Sequence, residues 1–339
     1  MKKMKFVLLV LGGLIAMQVN AQDKAHPRNL IVAQDGSGNY KTIQEAINSV
    51  RDLGQERVTI NVKKGTYHEK LVIPTWKTKI SLIGEDAANT IITNSDYSGK
   101  PLAAGDKDVY GNDKFTTYTS FTVLVQGNDF IAENLTIQNL SGRVGQAVAL
   151  HVEGDRCVFR NCRLLGNQDT VYTAKERSRQ YYENCYIEGT VDFIFGEATA
   201  VFQNCTIKSL TDSYLTAAST RSGQPFGYVF LECKLIAAET AKKVYLGRPW
   251  RPFAKTVFIK CELGGHILAA GWDPWNGDLM FPDKIKTVYY AEYGNTGPGS
   301  DTKKRVEWSR QLTKKEADQY TVKNILSGTD NWNPLDSVK

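Results

Sequence analysis

The segments Phe159-Arg-Asn-Cys162-Arg-Leu and Tyr182-Glu-Asn-Cys185-Tyr-Ile belong to a unit that occurs five times along the chain. In each copy an aromatic residue stands three positions before a cysteine, and an aliphatic residue stands two positions after it. The other copies are Phe202-Gln-Asn-Cys205-Thr-Ile, Phe230-Leu-Glu-Cys233-Lys-Leu and Phe258-Ile-Lys-Cys261-Glu-Leu. Successive cysteines are 23, 20, 28 and 28 residues apart. Periods of this size indicate a stacked repeat architecture.

The composition of the unit indicates which repeat architecture it builds. The segments are short, alternate in polarity and carry aromatic and β-branched residues, so we predict that they are strands. The gaps are rich in Asn, Gly and Asp and are too short for a helix in every repeat. An earlier segment, Ile131-Ala-Glu-Asn134-Leu135-Thr-Ile137, fits the same unit with Leu135 in the cysteine position. The sequence therefore predicts an all-β protein, a right-handed parallel β-helix built as a single-stranded solenoid with inward-stacked cysteines.

Both ends of such a solenoid need covering. Residues 42–49 show the apolar spacing of an amphipathic helix capped by Thr42, which is expected to close the N-terminal end. Thr313 and Glu316 match a capping box before a short helix near the other end. No Pro- or Ser-rich linker divides the chain, so we expect one catalytic domain over residues 28–339.

The first 21 residues have the features of a signal peptide. Lys2, Lys3 and Lys5 precede an apolar run of about a dozen residues, and Ala21 ends a small-residue cleavage site. The run is too short to span a bilayer, which takes roughly 20 helical residues. No later stretch is long and apolar enough either. The sequence therefore predicts an exported protein, periplasmic or extracellular, without a membrane span.

Charge and cysteine content constrain the function only weakly. The formal charge of +6 includes the three lysines of the leader, which leaves +3 for the mature chain. This mild excess suits an acidic polymer but is shared by many proteins without such a partner. Cys185 and Cys205 are predicted to lie on adjacent coils, where the spacing permits either a disulfide or a free stacked ladder.

The register of the repeat brings two aspartates together. Asp169 lies seven residues after Cys162, and Asp192 lies seven residues after Cys185. Stacked cysteines would place both carboxylates on one face, roughly 5 Å apart. One pKa of such a pair rises, which gives a protonated acid beside an ionised base or nucleophile. Asp212 also lies seven residues after a cysteine, so spacing alone does not select a site.

The residues near these aspartates favour acyl transfer. Gln168 precedes Asp169, and Gln146 lies on the preceding coil, so both amides could donate to an oxyanion. Arg248 could pair with an aspartate and keep it ionised, and Trp250 offers a flat face for a sugar. A glutamine ladder, a structural salt bridge and a core tryptophan are the corresponding structural interpretations. Other esterase machinery is missing, since the sequence contains no Gly-x-Ser-x-Gly elbow and no zinc-ligand spacing.

At these residues the sequence resembles the pectin methylesterase family. The resemblance covers residues 29–308. Five segments carry it: Gly65-Thr-Tyr-His-Glu69, Gln146-Ala-Val-Ala-Leu150, Gly166-Asn-Gln-Asp-Thr-Val-Tyr172, Asp192-Phe-Ile-Phe-Gly196 and Leu246-Gly-Arg-Pro-Trp250. By this resemblance Asp192 is the nucleophile and Asp169 the general acid and base.

The resemblance also implies roles for the neighbours. Gln168 and Gln146 match the oxyanion amides, with Gln146 also touching substrate. Arg248 and Trp250 match the residues that hold the nucleophile and the sugar. Thr122 matches a substrate-binding threonine and Tyr118 an aromatic neighbour, although their segment departs from the family pattern. His151 stands where many plant members carry Arg, and no role is assigned to it.

The implied function is hydrolysis of the methyl esters of galacturonate units in pectin, without metal or cofactor. The expected partner is methyl-esterified pectin rather than nucleic acid, and a monomer is assumed. Two alternatives remain open. A glycosidase or lyase could use the same fold, although the glutamine pair favours acyl transfer and no acidic calcium cluster is evident. A non-catalytic carbohydrate-binding solenoid would not need the aspartate pair.

Overall fold

The computed structural model describes residues 27–338, so the predicted signal peptide at residues 1–21 lies outside the described residues. The described chain winds into a right-handed parallel β-helix, as predicted. Each coil contributes strands to three sheets, and each strand pairs in parallel with its counterparts on the coils before and after it.

The first sheet has eleven strands, and the second and third sheets have eight and seven. The strands of the first sheet are Asn29–Val32, Val58–Val62, Ile80–Gly84, Ile131–Glu133, Cys157–Arg160, Arg179–Glu183, Thr199–Gln203, Tyr228–Leu231, Lys255–Ile259, Tyr289–Tyr293 and Arg310–Gln311. Those of the second sheet are Gly65–His68, Thr90–Asn94, Thr136–Asn139, Arg163–Leu165, Tyr186–Gly189, Thr206–Ser209, Lys234–Ala237 and Glu262–Leu263. Those of the third sheet are Leu71–Ile73, Val123–Val125, Leu150–Val152, Val171–Thr173, Ile194–Gly196, Ser213–Ala218 and Val244–Pro249.

The repeat unit is a corner between two strands, which corrects the prediction of one strand per unit. Cys162 stands directly before the second-sheet strand Arg163–Leu165, and Asn161 directly follows the first-sheet strand Cys157–Arg160. Asn161 has a φ of 51°, in the left-handed region where Asn is favoured over most residues. The same position has φ values between 52° and 56° at Asn134, Asn184, Asn204, Glu232 and Lys260. The left-handed residue therefore turns the chain from one sheet to the next.

The five cysteines of the repeat unit form the predicted inward ladder, and Cys157 lies outside it on a first-sheet strand. The residues that follow them pair in register along the second sheet, so the cysteines occupy equivalent positions on successive coils. All are buried and free, which answers the open question about Cys185 and Cys205. The Cys185 thiol lies 3.4 Å from the carbonyl oxygen of Phe159, and the Cys205 thiol lies 3.5 Å from that of Tyr182. Each thiol thus packs against the coil before its own.

The aromatic residues of the unit form a second ladder inside the stack. The rings of Phe159 and Tyr182 are stacked with centroids 4.9 Å apart. The stack continues through Phe202, Phe230 and Phe258 at centroid separations of 4.3–4.7 Å. Each stacked pair contributes about 0.5–1.5 kcal/mol beyond its buried area. The two ladders fix the register that the third sheet inherits.

We expect the thiols to be inert in the folded protein. Burial raises the pKa of Cys162, Cys185, Cys205 and Cys233 well above the ordinary value, and the thiolate is the reactive form. A thiol reagent should therefore detect no cysteine in the native protein and all 6 in denaturant. Detection of only four in denaturant would contradict the free ladder by revealing a disulfide.

Three short α-helices in the described part of the chain flank the solenoid. The predicted N-terminal helix spans Ile43–Ser49, with the Thr42 side chain accepting a hydrogen bond from the Glu45 amide, and it packs against the first coil. The capping box of Thr313 and Glu316 is also present, before Lys314–Ala317. This helix and the next, Val322–Leu326, pack on the outer face of the first sheet rather than on the end of the stack. Within residues 27–338, no helix is long and apolar enough to cross a membrane.

Candidate active site

Two superimposed turns at the start of third-sheet strands carry the aspartates. Leu165 pairs with Glu188, so Gly166 and Gly189 are equivalent, and each is followed three residues later by an aspartate. A side chain on Gly189 would lie 2.2 Å from the Cβ of Phe193, so only glycine allows this tight turn. Val171 then pairs with Ile194, which places Asp169 and Asp192 at equivalent positions on adjacent coils. Both aspartates are buried and adopt left-handed φ values, 65° and 49°.

Asp212 does not join this pair. The next coil pairs Ile194 with Thr216, so the counterpart of Asp192 is Tyr214. The turn after Ser209 is therefore longer by two residues, and Asp212 falls outside the register. Its exposed carboxylate instead accepts hydrogen bonds from the Lys242 and Lys243 amides at 2.5 and 2.8 Å. It is thus a turn residue.

Arg248 binds Asp192 in a bidentate pair. Its Nε and a terminal nitrogen lie 3.0 and 2.7 Å from the two carboxylate oxygens. Arg248 sits two coils beyond Asp192, in a row of outward-facing positions that runs through Phe195 and Ala217. The small side chain of Ala217 leaves room for the guanidinium to extend back along the stack. The pair is largely buried, which makes charge-assisted hydrogen bonds strong.

The two carboxyls differ in electrostatic environment. Burial, and then the charge of Asp192, raise the pKa of Asp169 well above its ordinary value, against the opposing effect of Arg248. Burial also raises the pKa of Asp192, but its hydrogen bonds with Arg248 and the guanidinium charge favour the ionised form. The arrangement therefore favours the protonated form of Asp169 and the ionised form of Asp192, the division expected of a carboxylate pair.

Two side-chain amides face the same pocket. Gln146 and Gln168 are bridged through their backbones on adjacent coils, and both side chains line the pocket with the aspartates. Within residues 27–338 neither side-chain amide has a hydrogen-bond partner, so their N–H groups are available to a ligand. Donors without partners beside a carboxylate pair are suited to stabilising an oxyanion.

Aromatic residues form the walls of this pocket of about 210 Å³. Trp250 contacts Phe195 edge-to-face at a centroid distance of 5.9 Å. Tyr118 is 41% exposed and lies 5.6 Å from Tyr172, which stacks on Phe195. The structure thus brings together Asp169, Asp192, Gln146, Gln168, Arg248, Trp250 and Tyr118.

Thr122 requires a correction. Its side chain is fully buried and its hydroxyl donates to the Gln138 carbonyl at 2.9 Å, so it does not face the pocket. Thr117, five residues earlier, lines the pocket instead. His151 is also buried, 4.5 Å from the Tyr172 ring and 3.3 Å from a Glu153 carboxylate oxygen.

Three further residues shape the site and were missed in the sequence. The small side chain of Ala217 leaves room for Arg248 to extend toward Asp192. The rings of Tyr214 and Trp275 contact the guanidinium. The repeat spacing could not have identified Tyr214, because it selects Asp212 on that coil and does not show that the turn after Ser209 is two residues longer. Trp275 follows the last repeat unit, where no spacing signal remains.

The fold and the site define a class of protein. It is a parallel β-helix whose open pocket holds two buried carboxyl groups, an arginine paired with one of them, and two glutamine side-chain amides. In the described part of the chain, no group of three or more His, Cys, Asp or Glu side chains is placed to hold a metal ion.

Comparison with known proteins gives the family. The sequence profile of the Pectinesterase family matches residues 29–329. Pectinesterase 2 of Citrus sinensis is 41% identical over 325 residues, which cover 91% of this chain and 59% of that protein. The chain belongs to the pectinesterase family. It spans about half the length of the curated relatives that it matches.

Solved structures agree with this assignment. Pectin methylesterase from carrot has a TM-score of 0.81 and 34% identity, covering 93% of this chain and 97% of that one. A mutant pectin methylesterase in complex with a hexasaccharide has a TM-score of 0.76 and 30% identity, covering 90% of this chain and 97% of that one.

Proposed function

We propose that the protein hydrolyses the methyl esters of galacturonate units in pectin, releasing methanol and de-esterified polymer. The observation that carries this proposal is the Asp192 carboxylate, held by Arg248 in one pocket with Asp169, whose pKa is raised, and with the side-chain amides of Gln146 and Gln168. Family membership supports the substrate class. Because the substrate is an external polymer, the proposal also agrees with the predicted export of the chain.

The first half of the reaction forms a covalent intermediate. An oxygen of ionised Asp192 attacks the C6 carbonyl carbon of the ester. The negative charge that develops on the carbonyl oxygen is stabilised by N–H groups of Gln146 and Gln168. The tetrahedral intermediate collapses as the C–O bond to the methoxy group breaks, and Asp169 gives its proton to the leaving oxygen. The products are methanol and an anhydride between the substrate and Asp192.

The second half restores the enzyme. Asp169, now ionised, takes a proton from a water molecule whose oxygen attacks the acyl carbon of the anhydride. The same amides stabilise the second tetrahedral intermediate. Its collapse breaks the bond to Asp192, which leaves as a carboxylate held by Arg248, and releases the galacturonic acid unit. Asp169 ends the cycle protonated, as it began.

The proposal is tested by methanol release from highly methylated pectin, with polymer length measured in parallel. Release without shortening is the expected result. Shortening of the chains would overturn the proposal in favour of a glycosidase or lyase on the same fold. Binding of pectin without release of methanol or shortening would favour the non-catalytic module.

Removing one oxyanion donor should slow the chemical step. We expect Gln168→Met to lower kcat by about 10²–10³-fold with little change in KM, because the side chain keeps its length but loses its donor. Steady-state kinetics of methanol release measure both quantities. Gln138→Met is a matched control, since Gln138 lies on the second sheet with its amide 3.3 Å from the Thr93 hydroxyl. Equal losses in both variants would contradict a specific role.

A further inference from the structure

The guanidinium of Arg248 lies between two aromatic rings. Its central carbon is 3.9 Å from the centroid of Tyr214 and 3.6 Å from that of Trp275. Two rings this close cannot occupy the same face of a planar group, so each covers one face. The edge of the guanidinium, which carries the N–H donors, then remains free to bind Asp192.

The two rings restrain a side chain that must extend a long way to bind its partner. Arg248 begins two coils away from Asp192, a distance of about 10 Å along the stack. An arginine side chain has many rotamers, and its hydrogen bonds alone leave the guanidinium plane free to tilt. Contacts with both faces fix that plane.

Each ring is itself supported. Tyr214 stacks on Tyr245 of the next coil, with centroids 5.5 Å apart and planes 14° from parallel. The Trp275 amide donates to the Asp273 carboxylate at 2.7 Å, in a backbone conformation with a φ of 58°. Lys284 lies 4.5 Å from the Trp275 ring. Contacts with neighbouring residues therefore hold both rings in place against Arg248.

Lys284 strengthens the support on the loop side. Its side chain is almost fully buried and pairs with Asp278 at 2.6 Å. Burial lowers the pKa of Lys284, against the effect of Asp278, so the ammonium is placed there at an electrostatic cost. The ion pair ties residues 278 and 284 together beside Trp275, in a segment with little regular structure.

We propose that Tyr214 and Trp275 are positioning residues that hold the Arg248 guanidinium edge-on against the Asp192 carboxylate. They act through Arg248 and take no part in bond breaking. The role depends on the proposed function only in so far as Asp192 is the nucleophile. With either ring removed, the guanidinium tilts away from Asp192. Arg248 then no longer fully offsets the rise in the Asp192 pKa that burial causes.

The expected consequence is a shift in ionisation. Burial raises the pKa of Asp192 and Arg248 lowers it, so a loosened Arg248 should raise it further. The other titratable groups around the pair are Asp169 on the preceding coil, Tyr290 in the core, and Asp273 and Lys284 on the loop side. None of these is changed by the substitutions below.

The test compares Trp275→Leu, Tyr214→Leu and the conservative Trp275→Phe, with Trp76→Leu as control because Trp76 is a half-exposed turn residue outside the pocket. The acidic limb of the kcat/KM profile should move up by about one pH unit in the two leucine variants, a tenfold loss below the limb. Activity should recover at higher pH. Trp275→Phe and Trp76→Leu should keep the parent profile. Circular dichroism establishes that each variant folds, and Tyr214→Leu still tests the proposal if Trp275→Leu does not fold.

A second readout separates this proposal from the proposed function. Carbon NMR of labelled aspartate, assigned with Asp192→Asn, reports the ionisation of Asp192 without any substrate. An upward shift of the Asp192 pKa in Trp275→Leu supports the positioning role of the two rings even if the parent protein releases no methanol. In that case only the proposed function fails. If neither the titration of Asp192 nor the acidic limb of the kcat/KM profile moves, the positioning role of Tyr214 and Trp275 is wrong. A raised KM at every pH with no shift also overturns it, since Trp275 would then contact only the substrate.

Discussion

Replacing Asp192 with Asn should abolish methanol release, with a loss of about 10⁴-fold or more in kcat. The amide keeps the size of the side chain and one oxygen for Arg248, but it cannot form the covalent acyl intermediate. A factor of 10⁴ corresponds to roughly 5.5 kcal/mol of transition-state stabilisation. Methanol release, with pectin binding measured separately, distinguishes lost chemistry from lost affinity.

The chain provides a matched control for this substitution. Asp212 lies seven residues after Cys205, as Asp192 lies seven after Cys185, but it is exposed and out of register. Asp212→Asn should leave methanol release unchanged within experimental error. A thermal melt is also needed for Asp192→Asn, because leaving a largely buried arginine without its charge partner destabilises the fold. A folded Asp192→Asn protein that retains more than about a tenth of parental activity is incompatible with a nucleophilic Asp192.

Asp169→Asn should reduce kcat by about 10²–10⁴-fold and remove the alkaline limb of the pH profile. Burial raises the pKa of Asp169, so the parent keeps the proton needed for the leaving methanol until the pH exceeds that raised value. Above it the parent loses its general acid and its activity falls. The amide has no such ionisation. Rate profiles against pH, measured on the same pectin for both proteins, test this directly, and an alkaline limb that survives in the variant would assign the acid elsewhere.

Stability should change with pH in the matching direction. The folded state keeps a proton on Asp169 that the unfolded chain loses near the ordinary value of 3.8. The parent's free energy of unfolding therefore carries a contribution that is full below about pH 4 and declines as the pH rises toward the raised pKa. Asp169→Asn lacks this decline, so its stability relative to the parent should increase with pH. Denaturant unfolding at several pH values measures the difference.

The sequence contained enough information to predict the solenoid, because cysteine and aromatic positions repeat with a fixed internal pattern and inward-stacked residues must match from coil to coil. The same logic placed Asp169 beside Asp192, since the turns after Gly166 and Gly189 have equal length. It could not show that the following turn is longer, which is why Asp212 looked equivalent. The corner inside each unit was not predicted because no single residue type marks it: the left-handed position is Asn in some copies and Glu232 or Lys260 in others.

The rest of the site depended on information that spacing does not carry. Thr117 and Thr122 both lie in a threonine-rich stretch, and only the backbone path shows which of them faces outward. Trp275 comes from a segment beyond the repeat, so its position over Arg248 follows from tertiary contacts alone. Even the family resemblance, which implied the central residues, did not supply these neighbours.

The site draws its parts from five successive coils, from Gln146 through Asp169, Asp192 and Ala217 to Arg248. In a solenoid each repeat contacts only its neighbours, so a group of neighbouring repeats can lose structure while the others keep theirs. Loss of a single internal coil would separate the nucleophile from its acid or its cation before most of the secondary structure is gone. On heating, turnover should therefore be lost at a lower temperature than the circular dichroism signal of the strands. Enzyme activity would then report the local stability of the coils in the middle of the stack.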